Sequence, residues 1–343
     1  MYHGGRLGKV DNTEKATLDN NLLAELTAPV QADLDSFDRR LSDILRGDSP
    51  LITSIARHLL KSRGKRMRPV FLFLSSRAAG NYTEHSVDAS LSIELIHTAT
   101  LLHDDVVDDA DLRRGQETVN AKWTNLISVL MGDYLFAKAF RLMVTPGSMD
   151  LVQAISSATE RVSVGELRQI EETGNYSLSE AEYLDIIADK TASLFAVSCE
   201  AGPILCRRDE ATRQKMAAFG EKIGVAFQIT DDLLDFVGDS EVTGKEPGKD
   251  VLNGKVTLPI IHSLRQVNEA SNREITGYLK KGADPESFDK IYSFVSENGG
   301  IDYAYRRAEQ LSEEALESVT ALGQSTYVDS LTSMVRYTTA RAS

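Results

Sequence analysis

Apolar residues recur at three- and four-residue spacing along almost the whole chain, and no stretch keeps the alternation of a half-buried strand. The pattern predicts helices over Leu18–Leu45, Leu51–Lys61, Pro69–Ala79, Glu84–Asp109, Asn120–Val144, Leu151–Thr173, Ser179–Gly202 and Asp209–Gly238. After a glycine- and lysine-bearing loop they continue over Thr257–Asn268, Asn272–Lys281, Asp284–Asn298, Ile301–Leu322 and Tyr327–Ala340. Most of the 8 prolines, Pro203 among them, fall at these boundaries. Ser179 with Glu182 has the spacing of a capping box. The reading is an all-α fold without a sheet. Residues 1–16 form a flexible tail, and 17–343 form one helical domain large enough to enclose a cavity.

One stretch breaks the polar–apolar rhythm. His103-Asp104-Asp105-Val106-Val107-Asp108-Asp109-Ala110-Asp111-Leu112-Arg113-Arg114-Gly115 follows the apolar run Leu91–Leu102 directly. Asp104 and Asp108, four residues apart, stack on one helical face, where like charges destabilise. A hard cation reverses that sign, because Mg²⁺ takes one or two carboxylates and completes its shell with water and phosphate oxygens. Arg113 and Arg114 are suited to grip the same phosphate in a bidentate fork. A solvated acidic helix end is the bland alternative. An EF-hand loop is excluded, since no frame through Asp104–Asp111 offers both its sixth-position Gly and its twelfth-position Glu.

The same D-D-x-x-D spacing returns at Asp231, Asp232 and Asp235, again late on a long predicted helix, with Asp239 one turn on. Two such columns facing across a bundle interior can hold several Mg²⁺ ions between them. Cations gather in adjoining loops: Lys65 and Arg68 at a helix start, Arg113 with Arg114, and Lys245, Lys249 and Lys255; Lys190-Thr191 lies within a helix. Gly238–Lys245 is not a P-loop, since five residues separate its glycines, Glu246 follows the lysine, and no strand precedes it.

A net charge of −13 argues against a nucleic-acid surface. Cys199 and Cys206, seven apart, match no zinc or redox spacing and read as buried thiols of a reducing compartment. No run approaches the ~18 apolar residues of a membrane span, and the polar Met1–Lys15 has no signal-peptide core. A cytoplasmic protein is expected.

Five segments in this order, G-K-R-M-R-P, I-H-T-A-T-L-L-H-D-D-V-V-D-D-A-D-L-R-R-G, D-K-T-A-S-L-F, F-Q-I-T-D-D-L-L-D-F and G-K-D-V-L-N-G-K-V-T-L-P, resemble the trans-isoprenyl diphosphate synthases (polyprenyl synthetases), long-chain bacterial type. The resemblance implies an all-α isoprenoid synthase fold around a deep cavity, a catalytic domain over 17–343, and a homodimer. It implies Mg²⁺, with Mn²⁺ able to substitute, on Asp104, Asp105, Asp108, Asp231, Asp232 and Asp235. Arg113, Lys190 and Lys245, with Lys255 close by, would bind the allylic diphosphate; Gly64, Lys65, Arg68, His97 and Arg114 would bind isopentenyl diphosphate. Thr191 and Gln228 would lie beside the allylic cation, while for a C-terminal basic contact Arg336 and Arg341 are the candidates.

The implied reaction is a head-to-tail condensation. Fixed cations and metal stabilise the departing diphosphate, the isopentenyl double bond attacks the cation, and released diphosphate takes the proton. Thr100 and Ala99, four and five residues before Asp104, are small where short-chain relatives carry aromatics, which implies a deep cavity and a heptaprenyl to nonaprenyl product, for quinone side chains. A floor is expected around Leu130, Tyr134 and Lys138. The alternatives are a farnesyl or geranylgeranyl diphosphate synthase, a terpene cyclase, and a non-catalytic partner subunit. A cyclase's usual second motif is of N-D-x-x-S-x-x-x-E type, unlike D-D-L-L-D here, and partner subunits generally lack the acidic motifs that this chain has.

Overall fold

The computed structural model describes residues 21–46, 49–61, 64–80, 82–237, 248–281 and 285–339. The tail expected over 1–16, and Asp239, Lys245 and Arg341, lie outside the described residues. Helices follow one another almost without interruption: α1 (21–27), α2 (Gln31–Leu45), α3 (Pro50–Lys61), α4 (Met67–Ala79) and α5 (His85–Val107). Then come the single turn α6 (Val119–Lys122), α7 (Asn125–Met143), α8 (Met149–Glu171), α9 (Glu180–Ile187), α10 (Ser193–Leu205) and α11 (Glu210–Val237). The C-terminal part adds α12 (Lys249–Leu252), α13 (Leu258–Arg265), α14 (Glu269–Lys281), α15 (Pro285–Glu297), α16 (Gly300–Val319) and α17 (Thr326–Thr339).

Helix α5 is central because it is mostly apolar and buried along much of its length. Leu91, Ile93, Leu95, Ile96 and Ala99 are all shielded from solvent, and α5 packs on α4, α7 and α10. Helix α10, equally apolar, lies between α4, α8 and α11. Outer helices such as α2 and α16 bury one face only, as their charged stripes require. The two acidic segments therefore ride on the C-terminal ends of interior helices.

Three expectations are corrected. A two-stranded antiparallel hairpin, β1 (Leu112–Arg113) with β2 (Gln116–Glu117), stands where no sheet was read. Its turn residues Arg114 and Gly115 both have positive φ, 53° and 72°, as two-residue hairpin turns demand. Strands of two residues leave no alternation to detect. The helix read as Ser179–Gly202 has its capping box at Ser179, but opens into a π-turn at Ala188–Ala192 and runs on to Leu205. Pro203 accordingly lies inside a helix, not at its boundary.

Candidate active site

Both acidic segments occupy the electrostatically unfavourable end of a helix. Asp104 lies in the last turns of α5 and Asp108 is its C-cap, while Asp231 and Asp235 lie near the end of α11. Exposed carbonyls make a helix C-terminus negative, so carboxylates there need cations. Burial, followed by Glu166, pushes the Asp104 carboxyl up to about 7. Burial and Asp250 do the same to Asp232, also to about 7.

The six predicted metal carboxylates take different environments. Asp105 is 4 % exposed and accepts from Arg113 Nε at 2.7 Å, so it anchors the hairpin beside Asp104. Asp232 points away from Asp231: its Oδ2 accepts from the Tyr183 hydroxyl at 2.6 Å and its Oδ1 from Gln228 Nε2 at 2.7 Å. Asp235 Oδ2 accepts from the Asp250 backbone N–H at 2.9 Å, and its carbonyl from Gly248 N at 2.7 Å, which ties the segment after residue 247 to α11. Asp104 with Asp108, and Asp231 with Asp235, retain the i, i+4 stacking.

Among the described residues no three acidic or imidazole groups converge on one metal position. That donor set fits Mg²⁺ held by one or two carboxylates with water and substrate phosphate oxygens, and does not fit a protein-caged ion.

Two cation-lined cavities flank these helix ends. The larger, of about 690 Å³, is lined by Gly64, Lys65, Arg68, His97, Arg113 and Arg114, with Asp105 and Asp231 on its acidic side. Arg114 reaches it from the hairpin tip and lies so close over Gly64 that a Cβ there would sit 2.5 Å from its Nη1. Arg68 stacks over the Phe195 ring at 4.7 Å, and burial draws its pKa down to about 10, still charged at neutral pH. Burial, then Arg68 and Arg114, hold His97 well below the usual imidazole range, so it is neutral.

The smaller cavity, of about 110 Å³, is lined by Lys190, Thr191, Gln228, Asp232, Asp250 and Lys255. Thr191 donates to Gln228 Oε1 at 2.8 Å, continuing a hydrogen-bonded line through Asp232 to Tyr183. Lys255 spans the two acidic walls, 3.2 Å from Asp250 and 4.0 Å from Asp108. Burial pulls its pKa down, but Asp250 and Asp108 outweigh it and the net shift is upward.

The π-turn explains how Lys190 and Thr191 both face this cavity. Such bulges recur at functional sites because they turn side chains off the regular helical stripe. Gly165 of α8 allows it: a Cβ there would lie 2.4 Å from the Lys190 backbone nitrogen, and one on Gly224 of α11 2.5 Å from Ala192 Cα.

Other candidates lie outside the two cavities. Arg336 is exposed, and the α17 side chain that reaches Lys65 of the larger cavity is Tyr337, whose hydroxyl accepts from it. Ala99 is fully buried in the core and Thr100 half-buried, and neither lines the two cavities. Leu130 is 57 % exposed, so it faces away from any floor within this chain; Tyr134 is half-buried under Lys138. Sequence reasoning missed Glu166, which pairs with Lys190, and Glu94, which binds Arg66 at 2.9 Å. It also missed Asp250 and Tyr183. Asp250 stood inside a quoted motif, but Glu166, Glu94 and Tyr183 carry no local signal, because each gains its partner through packing.

Basic side chains gathered in two pockets beside two acidic helix ends, within an all-α bundle, set the chemistry of the site. The family model described as polyprenyl synthetase matches residues 49–295. Octaprenyl diphosphate synthase of Haemophilus influenzae is 33 % identical over 310 residues, 90 % of this chain and 94 % of that protein. All-trans-nonaprenyl-diphosphate synthase (geranyl-diphosphate specific) of Rhodobacter capsulatus is 35 % identical over 91 % of this chain and 96 % of its own length. Among solved structures, a decaprenyl diphosphate synthase from Rhodobacter capsulatus superposes with a TM-score of 0.89 at 31 % identity, over 94 % of this chain and 99 % of its own. A polyprenyl synthase from Caulobacter crescentus CB15, complexed with calcium and isoprenyl diphosphate, gives 0.88 at 32 % identity, over 94 % and 98 %. The chain belongs to the polyprenyl synthetase family, whose members are trans-prenyltransferases.

Proposed function

We propose that this protein condenses isopentenyl diphosphate with an allylic diphosphate, head to tail and in trans geometry, into a long-chain polyprenyl diphosphate of heptaprenyl to nonaprenyl length that feeds quinone side chains. The observation that carries the reading is the pair of separate pockets beside two acidic helix ends, the larger lined by Lys65, Arg68, Arg113 and Arg114, the smaller by Lys190 and Lys255 among Glu172, Asp232 and Asp250. Lys190 and Lys255, with Lys245 outside the described residues, serve the allylic diphosphate, and Arg113, held by Asp105, approaches it from the larger cavity. Gly64, Lys65, Arg68, His97 and Arg114 serve isopentenyl diphosphate. Mg²⁺ bound at Asp104, Asp108, Asp231 and Asp235 would neutralise the charge that grows on the leaving diphosphate; Asp105 and Asp232 support those ligands from behind.

Preorganised charge does most of the work. As the allylic C–O bond breaks, Lys190 and Lys255 meet the developing negative charge without having to reorganise. Thr191 and Gln228, already bonded to each other, turn oxygen lone pairs toward the cation instead of mobile water. Neutral His97 can donate to the isopentenyl diphosphate without adding charge. Among the described residues no side chain is placed as a general base, and the released diphosphate accepts the proton. Incubation with labelled isopentenyl diphosphate, Mg²⁺ or Mn²⁺, and geranyl, farnesyl or geranylgeranyl diphosphate, followed by sizing of dephosphorylated products, tests this. Products no longer than geranylgeranyl, or turnover without divalent metal, would refute it.

Thr100 lies one turn before Asp104 on the same helical stripe, so the growing chain is directed past it. Thr100→Phe is expected to shorten the product by several isoprene units with the fold intact. Ala99→Phe differs, because that site is already full: overpacking should cost about 1–3 kcal/mol and lower the melting temperature. Unchanged product length in Thr100→Phe sinks the assignment.

Helices α7 and α8 present Leu126, Leu130, Phe140 and Leu167 to solvent, between 52 % and 68 % exposed. Large apolar side chains exposed in this way mark an interaction surface, and we propose that it joins two copies into a homodimer acting in the cytoplasm, where Cys199 and Cys206 stay reduced. No helix among the described residues is long and apolar enough to cross a membrane. Light scattering should give twice the chain mass for the wild type and the monomer mass for Leu167→Glu. A dimer that persists in the variant removes α8 from the interface.

A further inference from the structure

Lys65 lies on residues 64–66, outside any helix, and its neighbour Arg66 has φ 53°. A loop in this conformation does not orient its own long side chains, so partners elsewhere must do so. Arg66 is held by Glu94 at 2.9 Å and Asp38 at 3.5 Å, and it lies over the Phe37 ring at 5.2 Å. Lys65 is reached from 272 positions away: its ammonium donates to the Tyr337 hydroxyl at 2.6 Å and sits 4.8 Å from that ring's centroid.

Tyr337 is 4 % exposed and sits in α17, which packs on α4, α11 and α16. Its neighbour Thr338 turns its hydroxyl back onto its own helix, to Val335 O at 2.6 Å. Tyr337 instead turns its hydroxyl to Lys65, which lines the larger cavity. A lysine carries about 2 kcal/mol of rotamer entropy, which any ligand that uses it must otherwise restrict. The phenol oxygen takes one of the three ammonium protons.

We infer that Tyr337 is a positioning residue: it fixes the Lys65 ammonium at the larger cavity, so that the last described helix forms part of the isopentenyl diphosphate pocket. The inference rests on the proposed function, and it adds a residue to that pocket that no motif marks. Among the described residues Tyr337 is bonded to Lys65 of the larger cavity and does not line the Lys190 cavity, so the effect is expected on one substrate.

Tyr337→Phe keeps the ring and its packing and removes only the hydroxyl. The expected result is a rise of about fivefold in KM for isopentenyl diphosphate. kcat and KM for the allylic substrate should stay within about twofold. Tyr337→Leu, which also removes the ring face beneath the ammonium, should raise the same KM further. Equilibrium binding of isopentenyl diphosphate to Lys65→Ala and to Lys65→Ala/Tyr337→Phe completes the cycle: the second substitution should add nothing once the ammonium is gone. An unchanged KM in Tyr337→Phe, equal rises for both substrates, additive losses in the double variant, or a lowered melting temperature with normal kinetics each overturn the inference. Wild-type turnover in the same assay bears on the proposed function alone, so failure of that reading is separate from failure of this one.

Discussion

Asp104→Asn is expected to lower kcat by about a thousandfold or more while making the ligand-free protein more stable. The two effects share one cause. Burial and Glu166 raise the Asp104 carboxyl from its ordinary 3.8 to about 7. Between those values the folded protein holds a proton that the unfolded chain has released, so stability falls as pH rises through the window. Above about pH 7 the full cost of a buried carboxylate at a helix C-terminus is present, on the order of 1–3 kcal/mol after allowance for residual solvent. Asparagine never ionises and avoids that cost.

Ligand-free melting curves should therefore separate at pH 8, with the variant higher by about 2 °C or more, and converge near pH 4. Mg²⁺ with inorganic diphosphate should reverse the order at pH 8, because the ligand stabilises only the form that binds it. A variant that melts lower than wild type at pH 8 without ligand would show that Asp104 is held by a compensating partner. A variant that keeps full activity would remove it from the metal site.

Gly165→Val should cripple the enzyme from a position that touches no substrate. The new Cβ would lie 2.4 Å from the Lys190 nitrogen and 2.8 Å from its Cα, both backbone atoms that cannot swing aside. Helix α8 and the π-turn must then separate, costing about 1–3 kcal/mol. Lys190 and Thr191 move with the turn, and a displacement on the order of 1 Å at a charge-stabilising site costs about a hundredfold in kcat. Stopped assays and thermal melts should show both losses together. Gly165→Ala is the discriminating control. In an open helical position alanine gains about 1 kcal/mol over glycine, so a more stable and fully active Gly165→Ala would mean that the turn is not tightly seated.

Much of this site was legible along the chain. The D-D-x-x-D spacing puts Asp104 with Asp108, and Asp231 with Asp235, on shared stripes because helical geometry is local, and the structure keeps both. The basic residues Lys65, Arg68, His97 and Arg114 were grouped by resemblance, and one cavity does contain them all. The middle acids have partners that the spacing does not show. Asp105 and Asp232 follow their motif neighbours by one residue, which turns them about 100° around the helix, toward Arg113 and toward Tyr183 with Gln228.

What the sequence determined by itself is what repeats at short range: an all-α chain, two acidic helix ends, a capping box at Ser179, and the residue types of a diphosphate site. What only the tertiary structure decided is which partner each charge meets. Glu166 on Lys190, Glu94 on Arg66, Tyr337 on Lys65 and Asp250 on Lys255 join separate elements or loops. The π-turn under Lys190 exists because two glycines let three helices approach more closely than any Cβ allows. Hydrophobic periodicity states which face of a helix is buried, but not what lies opposite it. Electrostatic pairing falls off over a few ångströms, so it is settled only when packing brings the elements together.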